Sequence, residues 1–122
     1  MIARIWHGVT MAEKADEFFK FVRKTGEIAY LKSSGNCGVY TLRRRFDDKT
    51  EFLLIPLWDS IESIKRFAGE DFNKACYPYP EDKEFLVELE PEVKHFEVLT
   101  ESTKAKNLAN LKFNFLNLFS MK

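Results

Sequence analysis

The chain has 122 residues, of which 45% are hydrophobic and 12 are Phe, so it fits one compact domain with a hydrophobic core rather than a disordered chain. Lys plus Arg and Asp plus Glu both number 19, which gives a formal net charge of zero. This balance argues against a nucleic-acid-binding protein. The one basic run, residues 43–45, alternates across both faces of a predicted strand.

The sequence contains two cysteines and two histidines. Because no secretory signal and no apolar stretch of membrane-spanning length is recognisable, we expect a cytoplasmic protein with free thiols that binds no membrane. A disulfide between Cys37 and Cys76 is the alternative. Neither cysteine belongs to a cluster with metal-ligand spacing, so no dedicated metal site is expected. The absence of phosphate- and dinucleotide-binding glycine motifs indicates a protein without an organic cofactor.

The first strand is predicted at Ile2 to Val9. Its alternation places His7 on one face and Trp6 on the other, and we expect the His7 face to lie toward the helices. Thr10 is suited to cap the following helix. From Met11 to about Leu31, apolar residues recur at steps of three and four, which predicts one long amphipathic helix.

Two more strands are predicted in the middle of the chain, at Gly38 to Phe46 and at Phe52 to Trp58. The polar residues 47–50 between them suit a hairpin. The third strand is apolar on both faces, which is typical of a buried strand. Pro56 cannot donate a ladder hydrogen bond, so we expect it near the end of this strand or at a bulge.

A second helix is predicted to begin at Asp59 or Ser60, which can cap it, and to end at Gly69. A further short helix is expected over residues 71–76, before a loop in which Tyr77 and Tyr79 alternate with prolines. The last strand is predicted at residues 92–99. Residues 101–122 form a separate C-terminal extension, whose apolar spacing favours a helix.

The predicted order is strand, helix, strand, strand, helix, strand, within a domain at residues 1–100. This order predicts an α+β, ferredoxin-like fold, in which a four-stranded antiparallel sheet carries both helices on one face. The other sheet face would then expose apolar side chains. Because such a surface calls for a partner, we expect a homodimer in which two sheets pack face to face.

The segment LWDSIESIKRFAGEDFNKACYPYPEDKEF, followed by EPEVKHFEVL in the last strand, resembles the antibiotic biosynthesis monooxygenase-like family over about residues 1–100. The resemblance implies the dimeric α/β-barrel form of the ferredoxin-like fold. The family includes cofactor-independent oxygenases of aromatic polyketides, haem-degrading enzymes and isomerases. In the haem-degrading branch an Asn, a Trp and a His build the site. The corresponding residues here are His7, Phe67 and Tyr77, so haem degradation is the less favoured activity.

The resemblance therefore implies a cofactor-independent monooxygenase acting on a small aromatic or quinone-like substrate. His7 would remove a proton, Tyr77 and Tyr79 would orient oxygen substituents, and Trp58 and Phe67 would shape the walls. Each residue also has a purely structural interpretation: a half-buried hydrogen-bonded histidine, a rigid tyrosine loop over the core, and core aromatics. The alternative function is a non-catalytic homodimer that binds a small hydrophobic ligand or fills its interior with Phe side chains.

Overall fold

The structure, a computed structural model, describes residues 1–104, so the helix predicted in the C-terminal extension lies outside the described residues. Four strands form one antiparallel sheet in the order β2-β3-β1-β4. The strands are β1 (Ile2–Met11), β2 (Asn36–Phe46), β3 (Lys49–Trp58) and β4 (Lys94–Glu97). The helices are α1 (Ala15–Lys24), α2 (Gly26–Lys32), α3 (Ile61–Ala68) and α4 (Asp82–Phe85), with a 3-10 turn at Ala12–Lys14. The predicted ferredoxin-like α+β fold is confirmed.

The two faces of β1 are oriented opposite to the prediction, because Trp6 and not His7 faces the helices. Trp6 is buried on the helix side of the sheet, where its indole packs 6.2 Å from the ring of Phe18 in α1. His7 therefore points to the other side of the sheet, and the prediction that it faces the helices is wrong. Both faces of β1 are apolar in sequence, so alternation separates them without showing which one is inward.

The side of the sheet away from the helices is called the open face. It carries His7 of β1 and, by strand register, Tyr40 and Leu42 of β2 and Phe96 of β4. Tyr40, Leu42 and Phe96 are 58%, 47% and 54% exposed. Large apolar side chains thus lie on an uncovered sheet surface.

The predicted long first helix is divided at Thr25, where α1 ends and α2 begins. The Thr25 hydroxyl donates to the carbonyl of Phe21, and its backbone leaves the helical region at φ −119° and ψ −81°. A threonine side chain that bonds back to the preceding turn often bends a helix, and Gly26 follows it directly. Thr10 is not a helix cap, since it lies within β1 and its hydroxyl donates to the Met11 carbonyl.

The start and end of α3 agree with the sequence. The Ser60 hydroxyl accepts the backbone N–H of Ser63 at 3.2 Å, and Gly69 ends the helix at φ 93°, a conformation that favours glycine. Pro56 lies two residues before the end of β3, opposite Val39 of β2. No helix within residues 1–104 is long and apolar enough to cross a membrane. Cys37 and Cys76 are both free, so the disulfide alternative is excluded.

Residues 71–76 do not form the predicted helix. Lys74 instead makes an isolated antiparallel bridge with Glu92, supported by hydrogen bonds from Ala75 N–H to the Pro91 carbonyl at 2.8 Å and from Val93 N–H to the Asn73 carbonyl at 2.8 Å. Long-range backbone pairing here overrides a weak local preference for helix. The segment therefore consists of a turn at residues 72–73 followed by a short backbone pairing with residues 91–93.

Candidate functional site

A cavity of about 350 Å³ lies between the helix side of the sheet and the helices. Its wall is mainly apolar, seven of its 17 lining residues are aromatic, and a few polar groups complete it. Its aromatic lining consists of Trp6, Phe18, Phe21, Tyr30, Phe67, Tyr77 and Tyr79, and its polar lining includes Arg4, Thr25, Cys76 and Asp82. The closed, Phe-filled interior that the sequence left open as an alternative is therefore not observed.

The tyrosine loop forms one wall of the cavity. The Tyr77 hydroxyl donates to the carbonyl of Glu90 at 2.6 Å and accepts the indole N–H of Trp6 at 3.0 Å. The Tyr79 ring packs edge-on against Phe21 of α1, with ring centres 5.6 Å apart. These contacts explain how a segment with little regular structure holds two phenol rings at the cavity.

Phe67 and Trp58 have different positions. Phe67 of α3 lines the cavity, whereas Trp58 is fully buried behind it and lies outside the lining. The two rings are 5.1 Å apart, and Tyr30 packs against both. Trp58 can therefore shape the wall only through Phe67 and Tyr30, which corrects the prediction that it meets the ligand. Its indole N–H has no hydrogen-bond partner among the described residues.

Arg4 is the positively charged residue of the cavity lining. It is only 3% exposed, and its guanidinium donates to the carbonyls of Phe72 and, at 3.1 Å, Lys74. It also donates to Nε2 of His95 at 3.0 Å, because a guanidinium has no acceptor. Burial lowers the pKa of His95 and the Arg4 charge lowers it further, so His95 is neutral beside this cation.

Three other titratable groups of the lining, Tyr30, Tyr77 and Asp82, have pKa values that burial raises. Burial raises the pKa of Tyr30 to about 12, so its phenol stays protonated across the physiological range. Burial also raises the pKa of Asp82, which is 9% exposed, against the opposing effect of a backbone hydrogen bond from Tyr79. An acid with a raised pKa in a cavity is a candidate for proton transfer.

His7 does not belong to this cavity. On the open face, its Nδ1 lies 2.6 Å from a carboxylate oxygen of Glu90, and its Nε2 lies 2.7 Å from one of Glu51. Burial lowers the pKa of His7, but the hydrogen bonds to Glu90 and Glu51 outweigh that effect and raise the pKa overall. The structure thus brings Tyr77, Tyr79 and Phe67 together and leaves His7 on the other side of the sheet.

Among the lining residues that sequence reasoning missed are Arg4, Trp6, Tyr30 and Asp82. One signal was available: Arg4 and Trp6 share a face of the first strand, opposite to that of His7. Asp82 begins the short helix α4, and its burial depends on tertiary packing, which no local pattern shows.

No protein-family model matches the sequence, and no curated protein sequence matches it. Several solved structures, in contrast, have a similar fold. A candidate antibiotic biosynthesis monooxygenase from Nitrosomonas europaea has a TM-score of 0.58 and 14% identity, over 82% of this chain and 100% of its own. One from Bacillus cereus has a TM-score of 0.59 and 15% identity, over 85% and 98%.

A third similar structure is the haem-degrading protein MhuD from Mycobacterium tuberculosis with two haems bound. It has a TM-score of 0.58 and 17% identity, over 84% of this chain and 100% of its own. All three cover the sheet and helices described above. At identities of 14–17%, the structural similarity establishes the fold alone. The reaction has to be inferred from the residues of the cavity. The chain therefore has the fold of the antibiotic biosynthesis monooxygenase-like proteins.

Proposed function

We propose that the protein is a cofactor-independent monooxygenase that acts on a small aromatic or quinone-like molecule. The observation that carries this proposal is the cavity of about 350 Å³ with aromatic walls. Small-molecule sites typically measure about 300–1,000 Å³ and combine apolar walls with a few polar groups. The shared fold with candidate monooxygenases supports the reaction class by analogy.

In the proposed reaction, a phenol-activated ring CH₂ group and O₂ give a ring carbonyl and water. One oxygen atom enters the substrate, the other leaves as water, and the substrate supplies all the electrons. The protein must remove a proton from the substrate and keep water away from the resulting anion. These tasks need a base and a dry aromatic site rather than a bound cofactor.

Asp82 is the residue that we assign as the base, because its carboxylate lines the cavity and burial raises its pKa toward neutrality. Tyr77 and Tyr79 orient oxygen substituents of the ligand, and Phe67 packs against its ring. His7 has no part in this scheme because it lies on the open face. We therefore expect turnover to survive its substitution.

Haem fits the cavity less well. In the haem-degrading branch of the family that the sequence resembles, a histidine is the usual iron ligand. No histidine lines the cavity: His7 is on the other side of the sheet, and Nε2 of His95 is occupied by Arg4. The Tyr77 hydroxyl is likewise engaged by Trp6 and Glu90. We derive no reaction step through haem.

A non-catalytic protein that binds a small ligand is the second candidate. The observation that favours it is again the Tyr77 hydroxyl, whose O–H donates to Glu90 and which accepts from Trp6, so that only one lone pair is left for a ligand. The two candidates share the cavity and differ in whether oxygen is consumed.

The test is a thermal-shift screen of polyphenols, quinones and haem, followed by oxygen uptake with each stabilising ligand. A ligand at 100 times its Kd adds about 2.7 kcal/mol of stability, so a real ligand is easily detected. We expect Asp82→Asn to lower oxygen uptake by at least about 100-fold, in line with the loss of a general base. The exposed neighbour substitution Glu81→Gln serves as the control. Binding without oxygen uptake would support the second candidate.

We also propose a homodimer formed through the open face. Exposed aromatic and aliphatic side chains on a sheet surface support this, since monomers rarely expose large apolar patches. Leu42→Glu places a charge in the patch and should convert a dimer to a monomer in light scattering. Lys20→Glu on the exposed side of α1 should leave the mass unchanged. A wild-type monomer would contradict the proposal.

A further inference from the structure

The charge of Arg4 has no carboxylate partner in the described part of the chain. Its hydrogen-bond partners are two backbone carbonyls, the neutral imidazole of His95 and the side chain of Cys76. None of the carboxylates in residues 1–104 forms an ion pair with it, and Asp82, the carboxylate that lines the cavity, is no exception. Residues 105–122 contain neither Asp nor Glu. A buried cation without an anion is costly unless something else compensates it.

The guanidinium retains donors for a further partner. Arginine carries N–H groups on three nitrogens, and the contacts to Phe72, Lys74 and His95 all use its two terminal nitrogens. The Cys76 side chain is a fourth partner, so at least one of the five guanidinium N–H groups is left over. Because Arg4 lines the cavity, a ligand there can accept this N–H group.

Tyr30 adds a second donor at the same place. Its phenol lies close enough to Arg4 for the two groups to influence each other's ionisation, and it remains protonated because burial raises its pKa. A neutral phenol and a guanidinium form a favourable donor pair for an anionic oxygen. The side chain of Cys76 is hydrogen-bonded to Arg4 at the same end of the cavity.

We propose that the cavity binds an aromatic ligand as its anion, with one anionic oxygen held by Arg4 and Tyr30. This inference rests on the proposed function, in that it specifies the charge of the aromatic molecule the cavity takes. Trp6 follows Arg4 on the same face of β1, about 7 Å along the strand. The aromatic body of the ligand therefore lies over Trp6 while its anionic oxygen reaches Arg4.

The proposed ligand is a flat ring that carries an anionic oxygen. Either a carboxylate or an enolate can supply that oxygen. Two pairs of probes separate these sources on the wild-type protein: 2-naphthoate with neutral 2-naphthamide, and 2-hydroxy-1,4-naphthoquinone with 1,4-naphthoquinone. Charge-assisted hydrogen bonds predict that the anion of at least one pair binds about 10–100-fold more tightly than its neutral partner at pH 7.5. The pair that shows the preference identifies the source.

Substitutions then show which residue causes the preference for the anionic probe. We expect Arg4→Met to abolish it while the neutral probe keeps its affinity within about threefold, and Tyr30→Phe to weaken it in part. Arg43→Met is the matched control, because Arg43 pairs with Asp16 on the surface. The wild-type comparison decides the question even if Arg4→Met fails to fold.

Three results would overturn the inference, and they differ in what else they overturn. Equal affinity for the anionic and neutral members of both pairs means that the charge of Arg4 is compensated within the protein, while aromatic binding stands. No binding of any aromatic probe overturns both this inference and the proposed function. A preference that persists in Arg4→Met would place the anion elsewhere.

Discussion

The Tyr77 hydroxyl is the contact whose removal tests the described site most directly. It connects Trp6 of β1 to the carbonyl of Glu90, through hydrogen bonds of 3.0 and 2.6 Å. Tyr77→Phe keeps the ring and removes both bonds. The indole N–H of Trp6, a residue only 8% exposed, would then lack a partner, which costs about 1–3 kcal/mol. The carbonyl of the half-buried Glu90 can accept a hydrogen bond from water instead, so the loss of its bond to Tyr77 costs at most about 1 kcal/mol.

Together these effects predict a loss of about 2–3 kcal/mol in the free energy of unfolding. The assay is urea denaturation followed by tryptophan fluorescence, at one fixed protein concentration because the protein is expected to dimerise. With a urea dependence of about 1–3 kcal/mol per molar, the midpoint should fall by about 1–2 M.

Tyr79→Phe is the matched control. The Tyr79 ring packs against Phe21, and its hydroxyl makes no hydrogen bond within residues 1–104. Its removal should change stability by no more than about 0.5 kcal/mol. If Tyr77→Phe and Tyr79→Phe unfold at the same urea concentration, the bridge between β1 and the tyrosine loop contributes nothing and the reasoning is refuted.

Two further predictions concern the first strand. A Cβ at Gly8 would overlap the Trp6 indole, so Gly8→Ala should lower stability by about 1–3 kcal/mol in urea denaturation. Gly26→Ala, whose Cβ would only touch Leu54 at 3.9 Å, should be neutral or slightly stabilising, and equal costs for the two would show that the indole can move freely. His7→Gln should cost at most about 1 kcal/mol, because partly exposed ion pairs contribute little. Its folded pKa is raised, so that contribution is complete below about pH 6.5 and disappears as pH rises through the folded value. A cost that is the same at pH 6 and pH 9 would contradict the ion pairs with its two carboxylate partners.

The elements that the sequence predicted well are those in which local signals and packing agree. The apolar run to Trp58, the Ser60 cap and the Gly69 end of α3 needed no tertiary information. Residues 71–76 show the opposite case. Their local pattern suits a short helix, but pairing with residues 91–93 decides their conformation, and no local pattern carries that information.

The sequence predicted several of the aromatic residues of the site but not its polar residues. Tyr77, Tyr79 and Phe67 stand out in the sequence, and the cavity contains all three. The choice of His7 over Arg4 failed for a physical reason: both faces of β1 are apolar, and histidine is the usual candidate for proton transfer. Only the position of α1 over Trp6 shows which face encloses the cavity.

The segment between α3 and β4 is attached to β1 by side-chain contacts and by a single backbone bridge between Thr10 and Leu86. Its only helix is the single turn of α4, and Arg4, Trp6 and His7 of β1 hold it at points about 70 to 83 residues away along the chain. Breaking these contacts leaves the long β1–β3 and β2–β3 ladders intact. The cavity wall can thus unfold locally at a smaller free-energy cost than the whole domain. This wall of the cavity can therefore open while the sheet stays folded.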